Sequence, residues 1–247
     1  IMMNRQKSLF KGDVFSGLSH LSEGDSAVFK INADSMATKM GRHKPTNNKD
    51  KYFVYTLKID KVIPKGKLTD SLFNEKIESY FKAENEKAKN GEAGKLESYI
   101  KGKNLKPITT PSGLQYVITT EGTGTKASAG DTLEVNYTGK FLDDKIFDTS
   151  VEELAKKSGT YNQMRPYKPM KVAAGSGMTI PGFDEALLLF PAGTKVTLIL
   201  PSKLAYGEQG AQRIKPYSPL VFDLEFVKII PKPAGTPTPT PKKPAQK

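Results

Sequence analysis

The sequence predicts an α+β fold in which residues 111–230 form an antiparallel sheet wrapped around one short helix. A partial second copy of this fold (1–66) and a charged helical linker (67–110) precede it, and a tail (231–247) follows. Three observations predict this arrangement. Apolar residues alternate along several short segments, one segment has helical periodicity, and part of the pattern occurs twice in the chain.

The repeat relates residues 13–63 to residues 181–230. Gly24 and Gly193 lie 169 residues apart, and the same offset matches Leu18 with Leu187. At an offset of 167 residues, four more positions of the first copy match the second: Val54 with Val221, Leu57 with Leu224, Lys61 with Lys228, and Ile63 with Ile230. The region 110–180 has no counterpart. We therefore interpret residues 1–66 as the C-terminal half of a degenerate domain whose first half is not part of this sequence.

The linker, residues 67–110, is rich in Lys, Glu, Asn and Ala. Asp70 is the predicted N-cap of a helix that stops at Gly91, and a second short helix is predicted over residues 96–100. The first helix carries an apolar stripe at helical spacing: Leu72, Phe73, Ile77, Tyr80 and Phe81. Such a stripe fits a connector that packs on a neighbouring domain, which we favour, or an arm for dimerisation or for holding client proteins.

Strands are predicted in residues 111–230 from alternation with a period of two. The apolar members of two such strands are Leu133, Val135 and Tyr137 in one, and Phe222, Leu224 and Phe226 in the other. Each set lies on one face of the sheet. These inward positions make Tyr137 and Phe222 candidates for the core as well as for a site.

One short amphipathic helix is predicted between these strands. Its apolar residues follow the spacing i, i+3, i+4, i+7, at Phe183, Ala186, Leu187 and Phe190. The acidic side chains of Asp184 and Glu185 lie near its N-terminus, where the helix dipole favours negative charge. The segment 191–193, Pro-Ala-Gly, ends the helix.

Composition excludes several classes of function. The 247 residues include no cysteine and two histidines, His20 and His43, so we expect no metal site and no cofactor. No apolar stretch is long enough to span a bilayer. The net charge of +12 comes from residues 1–110 and the tail, whereas residues 111–230 hold 13 basic and 13 acidic side chains. A nucleic-acid partner is therefore not expected, and the Pro/Lys-rich tail is predicted to be disordered.

Five segments occur in order at compact spacing: VNYTG (135–139), FDTS (147–150), TIPGFDEAL (179–187), AYGEQG (205–210) and PLVFDLEF (219–226). Together they resemble the FKBP-type peptidyl-prolyl cis-trans isomerases, the family that binds macrolide immunosuppressants, over residues 112–230. The tandem layout with a charged helical connector resembles FKBP-type folding factors of the bacterial cell envelope. We therefore expect a location in the cell envelope or periplasm, with anchoring through an N-terminal segment beyond this sequence.

The resemblance implies a pocket whose residues we take over position by position. Its catalytic members are Tyr137, Phe147, Asp148, Tyr206 and Phe222, and its substrate-binding members are Met170, Thr179, Ile180, Phe183 and Ile214. By analogy, Phe183 forms the floor and Tyr206 donates its hydroxyl to a substrate carbonyl. Tyr137 orients Asp148, whose charge supplies a negative field near the twisting amide.

Each of these residues also fits a simpler role when taken alone. Tyr137 and Phe222 fit an ordinary core, and Tyr206 before Gly207 fits a turn. Asp148 fits a turn or cap, because Ser150 and Glu153 have the spacing of a capping box. The five ordered segments together favour the pocket.

The sequence departs from the family pattern in the pocket. Phe183 replaces the usual tryptophan of the floor, and Met170 replaces an aromatic wall. A long loop follows Asp148, and we expect Tyr161, Met164 and Tyr167 to lie at the rim of the pocket. Ile214 is assigned across a one-residue slip in the alignment.

The predicted activity is therefore prolyl isomerisation that assists protein folding, with proline-containing segments of unfolded or folding proteins as substrates and macrolide inhibitors as candidate ligands. The alternative is a non-catalytic chaperone that uses the same pocket to bind peptides. In the first copy, Tyr55 falls on Phe222, but SMATKMGRHKP (35–45) stands where the AYG segment should be. We expect that copy to be catalytically silent and to serve as a scaffold or peptide-binding surface.

Overall fold

A computed structural model describes residues 3, 6–40 and 51–233. His43, half of the SMATKMGRHKP segment and most of the predicted tail (234–247) lie outside the described residues. The chain divides into two compact units, residues 1–77 and 78–247.

The first unit is a two-stranded ribbon with two helices. Its elements are α1 (Val14–Leu18), β1 (Ser26–Asn32), α2 (Ala33–Met40) and β2 (Tyr52–Lys58), and β1 pairs antiparallel with β2. The Asp13 carboxylate caps α1 by accepting a hydrogen bond from the Ser16 N–H at 2.8 Å. Gly17 brings α1 against the ribbon, since a Cβ there would lie 1.9 Å from the Phe29 ring.

Two helices occupy the predicted linker: α3 (Asp70–Asn90) and α4 (Glu92–Gly102). The predicted N-cap was wrong by one residue, because the Leu72 N–H donates to the Thr69 hydroxyl and Asp70 is the first helical residue. Gly91 separates the two helices, as the sequence predicts. The second helix begins at Glu92, one turn before its predicted start, because its first turn closes with a hydrogen bond from the Lys95 N–H to the Gly91 carbonyl at 3.2 Å.

The second unit contains a seven-stranded antiparallel sheet. Its strands are β3 (Ile108–Thr109), β4 (Gln115–Thr120), β5 (Thr132–Lys140), β6 (Ile146–Thr149), β7 (Met170–Ala173), β8 (Lys195–Leu200) and β9 (Leu220–Ile230). They pair in the order β3-β4-β8-β9-β5-β6, and β7 pairs with β5. Three helical segments connect them: α5 (Glu152–Ser158), α6 (Pro181–Leu189) and a 3-10 helix (Ser202–Leu204).

The predicted helix packs on this sheet as α6. Phe183, Ala186, Leu187 and Phe190 are buried in one core cluster with Leu133, Val135, Leu224 and Phe226 of the strands. Phe190 contacts Phe226 edge to face, with ring centroids 5.7 Å apart. The predicted α+β fold is therefore confirmed, with α5 as a further helix. The capping box does not form, because Val151 is the N-cap of α5 and the Ser150 hydroxyl instead accepts from the Tyr137 N–H.

The ribbon of the first unit and the β8–β9 pair share one register. Ala27 lies opposite Leu57 in the ribbon, and at the two repeat offsets these residues become Val196 and Leu224, which lie opposite each other in the sheet. The same equivalence extends to loop hydrogen bonds. Gly24 donates to the carbonyl of Ile59, and Gly193 donates to that of Phe226. Both glycines have a positive φ, +91° and +86°.

The core of the second unit gives a stability prediction with a neighbouring control. Phe226 has no exposed surface, whereas the next residue, Val227, is 45% exposed. We expect Phe226→Ala to lower the free energy of unfolding by about 3–5 kcal/mol, because it leaves a cavity beside Phe190. Val227→Ala should change it by less than about 1 kcal/mol. Urea denaturation measures both, and equal losses would show that Phe226 is not part of a packed core.

Candidate functional site

Four aromatic side chains from four elements meet at one end of α6 and form the aromatic cup (Tyr137, Phe147, Phe183 and Phe222). The Phe183 ring on α6 lies 6.2 Å from that of Tyr137 and 5.9 Å from that of Phe222, and both pairs are edge to face. The Phe147 ring on β6 lies 5.7 Å from Phe222 at 83°. This geometry is the favourable one for aromatic pairs.

Gly139 on β5 makes room for two of these rings. It lies opposite Phe222 of β9 and opposite Asp148 of β6. A Cβ at this position would lie 2.6 Å from Cζ of Phe147 and 3.0 Å from Cε1 of Phe222. The absence of a side chain near the C-terminal end of β5 therefore allows the two walls of the aromatic cup to approach each other.

The polar edge of the aromatic cup is a hydrogen-bonded carboxylate. The Tyr137 hydroxyl donates to Oδ2 of Asp148 at 2.8 Å, and Oδ1 accepts from the Thr149 N–H at 2.9 Å. Arg165 forms an ion pair with Oδ1 and donates to the Tyr137 hydroxyl at 2.5 Å. The three side chains thus form one closed group in which the charge of Asp148 is largely balanced.

Arg165 was not among the predicted site residues. The loop that carries it was predicted to lie at the rim of the pocket through Tyr161, Met164 and Tyr167, yet the residue between the last two makes the direct contact. The only signal was the presence of one arginine in a loop that follows the aspartate. A loop of this length has no fixed geometry, so the spacing between Asp148 and Arg165 could not identify the contact.

Two stacked tyrosine rings with a cation at each end form the tyrosine stack (Lys156, Tyr161, Tyr167 and Arg165). The guanidinium lies 5.7 Å from the Tyr167 ring centre, and Tyr167 stacks on Tyr161 at 5.3 Å and 13°. The Lys156 ammonium covers the other end, 5.1 Å from the Tyr161 ring. Cation–π contacts at both ends hold the loop in one arrangement. Met164, at its tip, is 93% exposed.

The environment changes the proton affinities of the polar groups. Burial, together with the hydrogen bond to Asp148 and its charge, raises the pKa of Tyr137 to about 12, whereas Arg165 opposes the shift. The ion pair with Asp148 raises the pKa of Arg165. Burial also raises the pKa of Tyr206, and the charge of Asp148 adds to this effect. All three groups therefore keep their protons at neutral pH.

The other predicted pocket residues lie in or against the same core. Ile214 is buried in the core cluster, and Met170, Ile180 and Tyr206 are half-buried against it. The Thr179 hydroxyl is buried and makes no hydrogen bond. The structure gives direct contacts among Tyr137, Phe147, Asp148, Phe183 and Phe222, and it places the remaining five only in the surrounding layer.

The arrangement is an aromatic cluster, with the Phe183 and Phe222 rings buried, that carries polar atoms along one edge. Such a site holds a small apolar ring by contact with aromatic faces, and it orients the attached amide through hydrogen bonds. In this α+β domain, the buried face of the core helix α6 contributes Phe183 both to the core cluster and to the candidate site.

Comparison with known proteins identifies the family. Residues 123–227 match the family FKBP-type peptidyl-prolyl cis-trans isomerase. FK506-binding protein 2 of Yarrowia lipolytica is 40% identical over 118 residues, which are 47% of this chain and 73% of that protein. FkpA of Aeromonas hydrophila is 34% identical over 179 residues, covering 69% of this chain and 61% of that protein. The crystal structure of FkpA from Escherichia coli, 28% identical, has a TM-score of 0.49 over 68% of this chain and 76% of its own.

The chain belongs to the FKBP-type peptidyl-prolyl cis-trans isomerase family. This confirms the resemblance that the five ordered segments indicated. The chain spans 61% of the length of the Aeromonas relative and 52% of the 22 kDa isomerase of Escherichia coli.

The raised pKa of Tyr137 predicts a loss of stability at alkaline pH. Below pH 10 the phenol is protonated in the folded and the unfolded chain. Between pH 10 and about 12 the unfolded chain loses this proton and the folded chain keeps it, so stability falls as pH rises. Urea denaturation at several pH values should show a steeper fall for the parent protein than for Tyr137→Phe. Parallel curves would contradict the buried, hydrogen-bonded phenol.

Replacement of Arg165 gives a second prediction about the ionisation of the Tyr137 phenol. Because its cation lowers the pKa of Tyr137, Arg165→Met should move phenol ionisation to higher pH. Absorbance of the phenolate at alkaline pH measures the shift. A movement to lower pH would show that Arg165 does not lie against the hydroxyl.

Proposed function

We propose that this protein is a peptidyl-prolyl cis-trans isomerase that assists protein folding by acting on proline-containing segments of unfolded or folding chains. The observation that carries this proposal is the aromatic cup with the hydrogen-bonded Asp148 at its edge. It occurs in a chain whose matched relatives are named isomerases of this type.

The aromatic cup suits this reaction because an apolar environment accelerates rotation about the X–Pro bond and no nucleophile is needed. Rotation crosses a barrier of about 18–20 kcal/mol and takes tens to hundreds of seconds without catalysis. The twisted amide has lost resonance and is less polar than the planar one. An apolar site therefore stabilises the twisted state relative to the hydrated planar state. Phe183 supports the proline ring from below, and Phe147 and Phe222 enclose it.

The polar edge orients the substrate. The Tyr206 hydroxyl, which stays protonated, donates to a substrate carbonyl. Asp148 supplies a negative field near the twisting amide, but its ion pair with Arg165 weakens that field. We therefore assign most of the rate enhancement to shape and desolvation, and a modest part to Asp148.

The substrate-binding layer comprises Met170, Thr179, Ile180 and Ile214. The unpaired hydroxyl of Thr179 provides a hydrogen-bonding atom for the peptide backbone. Met170 adapts its shape to the residue beside proline. Macrolide inhibitors are proposed ligands of the same pocket.

The second candidate function is a chaperone that holds peptides in this pocket without turning them over. It is favoured by the exposed apolar tip of the loop at Met164, which offers a contact for unfolded chains. The two functions differ in one measurable property, the acceleration of an isolated X–Pro bond.

We propose that residues 1–66 are the C-terminal half of a degenerate FKBP-like domain, 67–110 the linker, and 111–230 the complete domain. The shared register of β1–β2 with β8–β9 supports this division. Among the described residues, β1 and β2 pair only with each other, whereas β8 and β9 are also paired with β4 and β5. The ribbon exposes Val28, Tyr52 and Val54 on one face, which fits a scaffold or peptide-binding surface.

We also propose a location in the cell envelope or periplasm. One relative, 34% identical over 148 residues, is named outer membrane protein MIP of Legionella longbeachae. Within the described part of the chain, no helix is both long enough and apolar enough to cross a membrane. Fractionation of cells that express the full-length protein tests the location, and a cytoplasmic pool would overturn it.

The isomerase proposal is tested by the cis-to-trans rate of a short Leu-Pro peptide. The parent protein should accelerate it, and Phe222→Ala should lower kcat/KM by roughly tenfold or more, because it removes a wall of the aromatic cup. Asp148→Asn should lower kcat/KM only a few-fold. Asp143→Asn, on an exposed turn nearby and paired with Lys145, is the matched control and should keep parental activity.

The result also separates the competing functions. Acceleration that disappears in Asp148→Ala combined with Phe222→Ala would place all activity in the second unit and leave the first silent. No acceleration by the folded parent protein, together with binding of a Leu-Pro peptide, would establish the chaperone instead.

A further inference from the structure

The linker helix α4 makes a direct contact with the turn that carries Tyr206. At the start of α4, the Glu92 carboxylate accepts a hydrogen bond from the Ser202 N–H at 2.5 Å and one from the Ser202 hydroxyl at 2.7 Å. Ser202 is the first residue of the 3-10 helix and is 3% exposed. The carboxylate therefore pairs both donors of a buried residue 110 positions away in the sequence.

Further contacts fix α4 along its whole length. Leu96, one turn after Glu92, is buried. Near the end of the helix Lys103 pairs with Asp144, in the turn between β5 and β6. Burial raises the pKa of Tyr99, which lies among the charges of Lys103, Asp144 and their neighbours. Within the second unit, α4 is therefore held at both ends, by Ser202 at its start and by Asp144 near its end.

Ser202 in turn organises the backbone around Tyr206. Its carbonyl accepts hydrogen bonds from the Ala205 N–H at 2.9 Å and from the Gly207 N–H at 2.8 Å, the two residues that flank Tyr206. The Gly207 carbonyl accepts from Tyr217 at 2.9 Å, which joins this turn to the following loop. A displacement of Ser202 would therefore be transmitted to the peptide units on both sides of Tyr206.

The strength of the contact with Glu92 follows from charge and burial. Hydrogen bonds to a carboxylate are stronger than those between neutral groups. A buried N–H that loses its partner must move to find another or remain unpaired at a cost. When Glu92 is removed, we expect the Ser202 peptide to shift toward solvent and the turn to shift with it.

We propose that Glu92 is a positioning residue for Tyr206, so that the linker helix is part of the substrate site rather than a spacer between two domains. This inference rests on the proposed function, in which the Tyr206 hydroxyl donates to the substrate. It follows that a displacement of α4 from its contact with Ser202 weakens substrate binding.

The first test compares two variants on the same helix of the full chain. Glu92→Ala should lower kcat/KM for the Leu-Pro peptide by roughly fivefold, within the range of coupled neighbours. Most of the change should appear in KM, because Tyr206 orients the substrate. Glu97→Ala, which removes an exposed pair with Lys101, should have no effect. Glu92→Gln keeps a carbonyl oxygen for the Ser202 N–H and should restore most of the loss.

The second test is a double-mutant cycle with Tyr206→Phe. If Glu92 acts through the Tyr206 hydroxyl, Glu92→Ala should add little to the loss caused by Tyr206→Phe alone. Losses that multiply, or a Glu92→Ala protein with parental kcat/KM, would overturn the proposal. If the parent protein has no activity, it is the proposed function that fails.

Hydrogen exchange tests the role of Glu92 even if the parent protein has no isomerase activity, because the measurement needs no turnover. The amides of Ala205 and Gly207 should exchange faster in Glu92→Ala than in the parent protein or in Glu97→Ala. Unchanged exchange at both amides would show that Glu92 does not hold the turn, whatever the activity of the protein.

Discussion

The edge-to-face contact of Phe183 with Phe222 is the interaction on which the rest of the second unit depends. Phe183 is a residue of α6 and Phe222 a residue of β9, so their contact attaches the helix to the sheet, and it also forms part of the proposed site. Stability and binding surface therefore come from the same buried area. This also explains the glycine at position 139, where any side chain would push the walls of the aromatic cup apart.

Two charged side chains from outside the central sheet pair with polar groups of the second unit. Arg165 reaches Asp148 from a loop that is stabilised by the tyrosine stack. Glu92 reaches Ser202 from the linker. In each case a charged side chain from a segment outside the sheet pairs with a polar group of the same unit. Changes in loop and linker can therefore adjust the site while the apolar core stays the same.

The repeat has a structural meaning beyond its sequence match. Equal register in the β1–β2 and β8–β9 pairs, and equal loop hydrogen bonds at Gly24 and Gly193, show that the two segments obey the same local rules. These rules are local because a positive φ in the loop and alternation along two strands fix the pairing. The helix after β1 differs, since α2 occupies eight residues where the second unit has a three-residue 3-10 helix.

Sequence alone determined the features that depend on short-range pattern. The alternation at Leu133, Val135 and Phe226 and the spacing in α6 fixed the elements and their buried faces, because periodicity reflects burial directly. The stop at Gly91 was also predictable. Tertiary structure alone decided the partners of Asp148 and Ser202. Arg165 and Glu92 lie 17 and 110 residues from these partners, and no periodic pattern connects residues across a loop or a linker. A charged side chain finds its partner only after the core has brought the segments together, and that assembly is what the sequence pattern does not encode locally.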